Sequence, residues 1–290
     1  MTGYRPAPGD STSFKALVQY ARERIEHTQT NVPMLEAQLL LCRAIGKSRE
    51  YLLTYPEKSP TKSQLRKFMG FVQRREKYEP IAYILEEKEF FSYTFRSDNR
   101  ALVPRPETEK IVEGALAMFA EGTKISALDI GAGSGVICVS LAKSRPEWRF
   151  TAIDISDDAL ELARENAAIH QVERRVTFIN GDLFPPNRKK FNLIVSDPPY
   201  VPTIGHDLRP DITGHEPEVS LYGGADGLDL IREIIARAPG RLLPGGGLIL
   251  EVGHTHMAPV KKLIKATGFF RTIEVIKDHQ GTDRVICAKG

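Results

Sequence analysis

The sequence predicts an α/β protein: a mostly parallel, seven-stranded sheet with helices on both faces, preceded by a small all-helical domain. Three observations carry this. From Ile125 onward, short β-forming runs alternate with segments of helical period, and such alternation builds a parallel sheet covered on both sides. Residues 12–85 show helical periodicity with no strand pattern interrupting it. Between the two, residues 89–103 are rich in aromatic, β-forming side chains. The 290 residues therefore divide into a helical domain over 1–87, a β-hairpin linker over 88–104 and an α/β domain over 105–290, which suits a usual domain size of roughly 150 residues.

In the helical part, Phe14, Leu17, Val18, Ala21 and Ile25 fall on one face, with Ser11 to Ser13 as candidate caps. A second helix covers residues 34–45, where Pro33 suits the first turn and Gly46 the stop. A short helix around Tyr51 ends before Pro56. A fourth starts near Thr61 and aligns Leu65, Phe68, Met69 and Val72, and residues 80–85 form one more turn. In the linker, Phe90, Phe91, Tyr93, Phe95, Leu102 and Val103 are strand formers, and Ser97, Asp98 and Asn99 are turn formers. A helix over 111–119 follows. Strands are expected at 125–130, 150–155, 176–179, 191–196, 247–252, 271–276 and 284–288. Helices are expected up to Lys143 and at 159–169, 228–238 and 260–267, with a long loop over 198–226.

Composition narrows the function classes. Hydrophobic residues are 41% and charged residues 27%, ordinary for a soluble globular protein. A net charge of +3 is too small to mark a nucleic-acid binder by charge alone. Cys42, Cys138 and Cys287 lie far apart among apolar neighbours. That spacing offers no metal site and reads as small buried hydrophobes in a reducing cytosol. The first residues lack the apolar core of a signal peptide, and no apolar run of about 18 residues could span a membrane.

Three features carry chemistry. The first is Gly131-Ala132-Gly133-Ser134-Gly135, between a strand and a helix, where glycines let the backbone turn sharply and approach a ligand. Its Gly-x-Gly-x-Gly spacing is shorter than the dinucleotide fingerprint, so a pyrophosphate cradle is not favoured. The second is Asp154, at a strand end about 20 residues on, placed to accept hydrogen bonds from ribose hydroxyls. NAD and S-adenosylmethionine both present a ribose, so Asp154 does not choose between them, and it could equally cap the next helix. Asp182, with Leu183 or Phe184 as apolar cover for a purine, is a further candidate. The third is Ser196-Asp197-Pro198-Pro199-Tyr200. Two prolines remove two N–H donors and hold the backbone extended. The Asp197 carboxylate and nearby carbonyls remain as acceptors, and Tyr200 adds a flat wall. That set suits a planar group ending in NH2, whose nitrogen attacks more readily when its N–H groups are hydrogen-bonded.

Together these motifs resemble class I S-adenosylmethionine-dependent N-methyltransferases. The chain is most similar to the HemK-type protein-(glutamine-N5) methyltransferases that modify peptide chain release factors. The resemblance covers nearly the whole chain and includes the helical part, Arg105-Pro106-Glu107-Thr108-Glu109, Gly181-Asp182-Leu183-Phe184, His215-Glu216-Pro217, the run from Gly223 to Asp229, and Gly281-Thr282-Asp283-Arg284. It implies a Rossmann-like fold and the transfer of methyl from S-adenosylmethionine, leaving S-adenosylhomocysteine, to the glutamine of a Gly-Gly-Gln motif. It implies cofactor contacts at Gly131, Ala132, Gly133, Ser134, Gly135, Asp154, Asp182, Leu183 and Asp197, and amide contacts at Asp197, Pro198, Pro199 and Tyr200. Arg105, Glu107 and Glu109 would shape the entrance, or pin the linker through ion pairs. Glu216 would sit in a loop closing over substrate, or stiffen it. The family usually has Asn where this chain has Asp197; Asp-Pro-Pro-Tyr is commoner in DNA adenine-N6 methyltransferases. Those enzymes, and glutamine methyltransferases acting on a ribosomal protein, are the alternatives. A nicotinamide oxidoreductase would need the longer glycine spacing. The expected protein is a cytoplasmic monomer that binds a release factor, with no metal, membrane or direct nucleic-acid partner. His170, His206, His254, His256 and His279 are read as surface or hydrogen-bonding residues.

Overall fold

The computed structural model describes residues 12–28, 30–204 and 214–290; Ser11 and His206 lie outside the described residues. The chain forms two compact units divided between Glu86 and Glu87, with residues 214 and 215 grouping with the first.

The first unit is helical: α1 (Phe14–Ile25), α2 (Pro33–Ile45), α3 (Arg49–Thr54), α4 (Lys62–Glu76) and α5 (Ile81–Leu85). Local signals set the ends. The Ser13 side chain accepts from the Ala16 N–H at 3.3 Å. Gly46 ends α2 in the left-handed region, φ 66°, which a glycine adopts without steric cost. Thr61 and Gln64 form a reciprocal capping box at α4. The apolar faces merge into one core around Leu17, Ile25, Leu40, Leu41, Phe68, Val72 and Ile84. Periodicity does not reveal its polar staple: Arg75 Nε of α4 donates to Glu36 Oε2 of α2 at 2.8 Å with both side chains buried. Thr30 donates to the other Glu36 oxygen at 2.9 Å.

The second unit opens with an antiparallel hairpin, β1 (Glu87–Phe90) and β2 (Tyr93–Arg96). Here the structure corrects the sequence reading. The turn is Phe91-Ser92, with φ of 50° and 61°, and not Ser97-Asp98-Asn99; Leu102 and Val103 belong to no strand. A two-residue turn with both φ values positive matches the twist of the flanking strands. The Glu109 carboxylate accepts the Phe91 N–H at 2.9 Å, supporting a turn that its own residue types disfavour. Asp98 instead holds Arg100, which also bonds Glu165 at 3.0 and 2.9 Å.

The sheet follows, with α6 (Glu109–Met118), β3 (Ser126–Ile130), α7 (Val136–Ser144), β4 (Arg149–Asp154), α8 (Asp157–Ile169), β5 (Val176–Asn180), β6 (Phe191–Ser196), α9 (Asp229–Arg241), β7 (Leu242–Glu251), α10 (Met257–Ala266), β8 (Thr272–Lys277) and β9 (Asp283–Lys289). The seven strands lie in the order β5-β4-β3-β6-β7-β9-β8, parallel except where β9 runs antiparallel to β7 and β8. Alternate residues face opposite layers. Ala127, Leu193, Val195 and Ile249 meet α6 and α7, and Leu128, Ile194, Leu248 and Leu250 meet α9 and α10. Cys42, Cys138 and Cys287 are buried and unpaired. Among the described residues, no helix is long and apolar enough to cross a membrane.

Candidate active site

β3, β4, β5 and β6 are parallel, so their carboxyl ends share one edge, where open sheets place ligands. Four loops leave that edge and line a cavity of about 630 Å³. From β3 come Gly131, Ala132, Gly133 and Ser134; from β4, Asp154 and Ile155; from β5, Asp182 and Leu183; from β6, Asp197, Pro198 and Pro199.

The glycine loop is held from behind. Gly131 and Ala132 donate to the Ile153 carbonyl at 2.9 and 3.1 Å, and buried Asn166 donates to the Ser134 carbonyl at 2.9 Å. A Cβ on Gly131 or Gly133 would project into open space. Gly135 does not line the cavity: its φ is 80°, and a Cβ there would meet Ala163 Cβ at 3.0 Å. Its smallness serves the packing of α7 on α8. Asp154 is not the cap of α8; Ser156 is, accepting from Ala159. Asp154 instead accepts from Gly133 N at 2.8 Å and Ser156 N at 2.9 Å. Its burial raises its carboxyl pKa, and these N–H groups oppose the rise. Leu183 faces the cavity in a left-handed conformation, φ 55°, while Phe184 sits in the core beneath Arg237 and Arg241 and offers no wall to a ligand.

The Asp197 segment is braced by glycines whose role the sequence leaves hidden. A Cβ on Gly223 would lie 2.4 Å from the Pro199 carbonyl, and one on Gly227 2.2 Å from that of Tyr200. Main-chain bonds between Val201 and Leu221, and between Gly223 and Val201, close this contact at 3.0 and 2.9 Å. Tyr200 does not line the cavity; its hydroxyl donates to Glu251 Oε1 at 3.1 Å. Thr108 Oγ1 lies 2.9 Å from Asp197 Oδ2 and 2.8 Å from Glu251 Oε2. Burial pushes the Asp197 carboxyl up to about 6, against the pull of Thr108, Arg105 and Arg284. Burial and the nearby Asp197 charge hold Glu251 well above the usual carboxylate range.

Arg105 lines the cavity and pairs with buried Glu216, whose second oxygen accepts from Val103 N at 3.2 Å. Glu216 and Glu107 do not line it, so Glu216 anchors the loop from beneath while Pro217, Glu218 and Val219 form the wall. Sequence reasoning missed Ile155, Thr108 and Glu251. Ile155 is 59% exposed and lines the cavity beside Asp154. Thr108 stands inside the Arg-Pro-Glu-Thr-Glu run. Glu251 ends a strand on the same edge as Asp154, and that position was its signal. Among the described residues, no cluster of His, Cys, Asp and Glu could hold a metal ion.

Comparison with known proteins identifies the family. The PrmC N-terminal domain family matches residues 16–85 and the methyltransferase small domain family residues 114–212. The release factor glutamine methyltransferase of Vibrio cholerae is 38% identical over 95% of this chain and 96% of its own length. That of Geobacter sulfurreducens is 40% identical over 94% and 95%. The chain belongs to the release factor glutamine methyltransferase family. Two solved structures share the fold. A methyltransferase from Pyrococcus furiosus, 22% identical, covers 70% of this chain and 91% of its own at a TM-score of 0.52. The hMettl16 catalytic domain, 14% identical and solved with an RNA hairpin, covers 73% and 81% at 0.55. The family's α/β unit is thus a class I methyltransferase fold.

Proposed function

We propose that this protein methylates the side-chain amide nitrogen of the glutamine in a release factor's Gly-Gly-Gln loop, using S-adenosylmethionine. The observation that carries the reading is the juxtaposition, in one cavity, of a glycine cradle with open space above it and the Asp197-Pro198-Pro199 acceptor segment.

The residues fit the cofactor. Gly131 and Gly133 leave room for close main-chain contact, Asp154 keeps acceptor capacity for ribose hydroxyls, and Ile155 and Leu183 supply apolar surface for a purine. When bound, S-adenosylmethionine supplies an activated methyl group. The protein's part is alignment and exclusion of water. Asp197 and the Pro198 carbonyl accept the two amide N–H bonds, which favours charge redistribution as the nitrogen attacks. With the cofactor bound, the amide nitrogen would take the methyl as its bond to the sulfonium sulfur breaks, leaving S-adenosylhomocysteine, and the methylated nitrogen, far more acidic, would then release one proton to Asp197 or water. Neither a nucleophilic side chain nor a proton-abstracting base is required of this site.

Radioactive methyl transfer to purified release factor, followed by peptide mapping, tests the reading. Label on the Gly-Gly-Gln glutamine is expected. Label on plasmid DNA or on a ribosomal protein, with none on release factor, would overturn it.

A further inference from the structure

Thr108 raises a question of proton inventory. A hydroxyl carries one hydrogen and can donate one hydrogen bond. Thr108 Oγ1 nonetheless sits between two carboxyl oxygens, Asp197 Oδ2 at 2.9 Å and Glu251 Oε2 at 2.8 Å. Ionised carboxylates only accept. Were both ionised, one of these contacts would set lone pair against lone pair in a buried place, and two like charges would share one neighbour.

We propose that Glu251 is held as the un-ionised acid and donates to Thr108, so that Thr108 donates to Asp197 and, of these two carboxyls, only Asp197 carries negative charge. Glu251 and Thr108 are then positioning residues for the amide acceptor.

Placement chooses which carboxyl keeps the proton. Glu251 is 1% exposed, and its other oxygen already accepts from Tyr200. Asp197 lines the cavity and faces the guanidinium groups of Arg105 and Arg284, with Glu107 opposing them. Arg284 also faces Glu251, and Asp129 feels the Asp197 charge from β3. Burial raises both carboxyls, so the geometry decides which of them keeps the proton. The order Tyr200 to Glu251 to Thr108 to Asp197 then has each hydroxyl or acid donating toward the cavity, with no donor wasted. A carboxylate at 197 needs Glu251 neutral, because its charge would otherwise be opposed by a second one; with an amide at 197, burial of Glu251 still holds it neutral.

The proposal rests on the methyl-transfer reading for its kinetic arm only. The first measurement is infrared difference spectroscopy at pH 8, without substrate and in an Asp129→Asn background, so that the buried Asp129 carboxyl adds no acid band. A carbonyl stretch of a protonated carboxylic acid is expected in the parent and in Asp197→Asn, and its loss in Glu251→Gln. Persistence of that band in Glu251→Gln, or its absence from the parent, overturns the proposal whatever the enzyme methylates. The second is the acidic limb of single-turnover methyl transfer. Glu251→Gln replaces one neutral donor by another, so the limb stays near the parent's position. A downward move of about one pH unit would mean that a negative charge had been removed and Glu251 had been ionised. Thr108→Val removes the donor to Asp197 and moves the limb upward by about one pH unit, roughly 1.4 kcal/mol, and Thr108→Ser restores it. A limb unmoved in Thr108→Val would show that Thr108 does not donate to Asp197.

Discussion

Gly133 and Gly135 stand two residues apart and both have positive φ, yet they do different work. A methyl group on Gly133 would meet no protein atom within 4 Å; it would enter the cavity at about 1–2 kcal/mol of local strain. Gly133→Ala should therefore weaken S-adenosylmethionine binding about tenfold or more by calorimetry, about 1.4 kcal/mol, with the fold intact. Parent affinity would remove this loop from the cofactor site. Gly135→Ala drives a methyl against Ala163 and should show chiefly as a lowered melting temperature, by several degrees. Asp129, beneath the loop, gives a pH signature. One oxygen accepts from Cys138 N at 3.1 Å, the other has no partner, and burial pushes its carboxyl up to about 7. The folded state thus favours the protonated form. Its stabilising contribution is complete below the unfolded value near 4 and is lost as pH rises through about 7. Asp129→Asn, which cannot ionise, should match the parent within about 0.5 kcal/mol only below about pH 4. In urea titrations its advantage over the parent should grow by about 2–3 kcal/mol between pH 5 and pH 8. A gap that does not widen with pH would mean that Asp129 is ionised in the fold.

Among the elements, the hairpin turn is the clearest conflict between local preference and fold. Phe91 and Ser92 both occupy the left-handed region, which costs a non-glycine residue about 1 kcal/mol or more. Phe91 is retained because its ring packs on the core beneath the hairpin; Ser92 has no such return. Ser92→Gly should raise stability by about 0.5–1 kcal/mol, seen as a melting temperature a few degrees higher, and an unchanged or lower value would place the strain elsewhere. The same turn shows where sequence reading stops. Elements whose pattern reflects burial, on one face in α1 and on both faces in β6, are legible because a single physical cause sets it. The turn was misplaced because Asp98 and Asn99 look like turn residues, while Phe91 is there for the core and the Glu109 side chain supplies the hydrogen bond. The site divides likewise. Gly131, Asp154 and Asp197 announce themselves by position at strand ends. Thr108 and Glu251 matter only because α6, β6 and β7 bring them within 3 Å of a common point, across 143 residues of sequence. Gly223 and Gly227 are small to clear main-chain carbonyls at Pro199 and Tyr200, a reason that no local pattern contains.

At the scale of the whole molecule, chemistry and helical unit are separate in residue content. Among the described residues, those that line the cavity belong to the second unit, and both sheet-face cores lie there too. The first unit has its own core and its own buried Arg75–Glu36 pair. A unit with an independent core and no described residue in the cavity suits a role other than contact with the reacting atoms, and the substrate proposed here is a folded protein far larger than one glutamine. We expect the helical unit to supply affinity for that protein. Removing residues 1–86 should lower kcat/KM on whole release factor about a hundredfold or more, about 2.7 kcal/mol. On a short Gly-Gly-Gln peptide, which has nothing else to bind, the loss should stay within about fivefold, under about 1 kcal/mol. S-adenosylmethionine affinity, measured by calorimetry on the same truncated protein, checks that the second unit has kept its fold. Equal losses on protein and peptide with cofactor binding intact would mean that the helical unit does not recognise the partner. Loss of cofactor binding would mean that its role is to stabilise the methyltransferase unit.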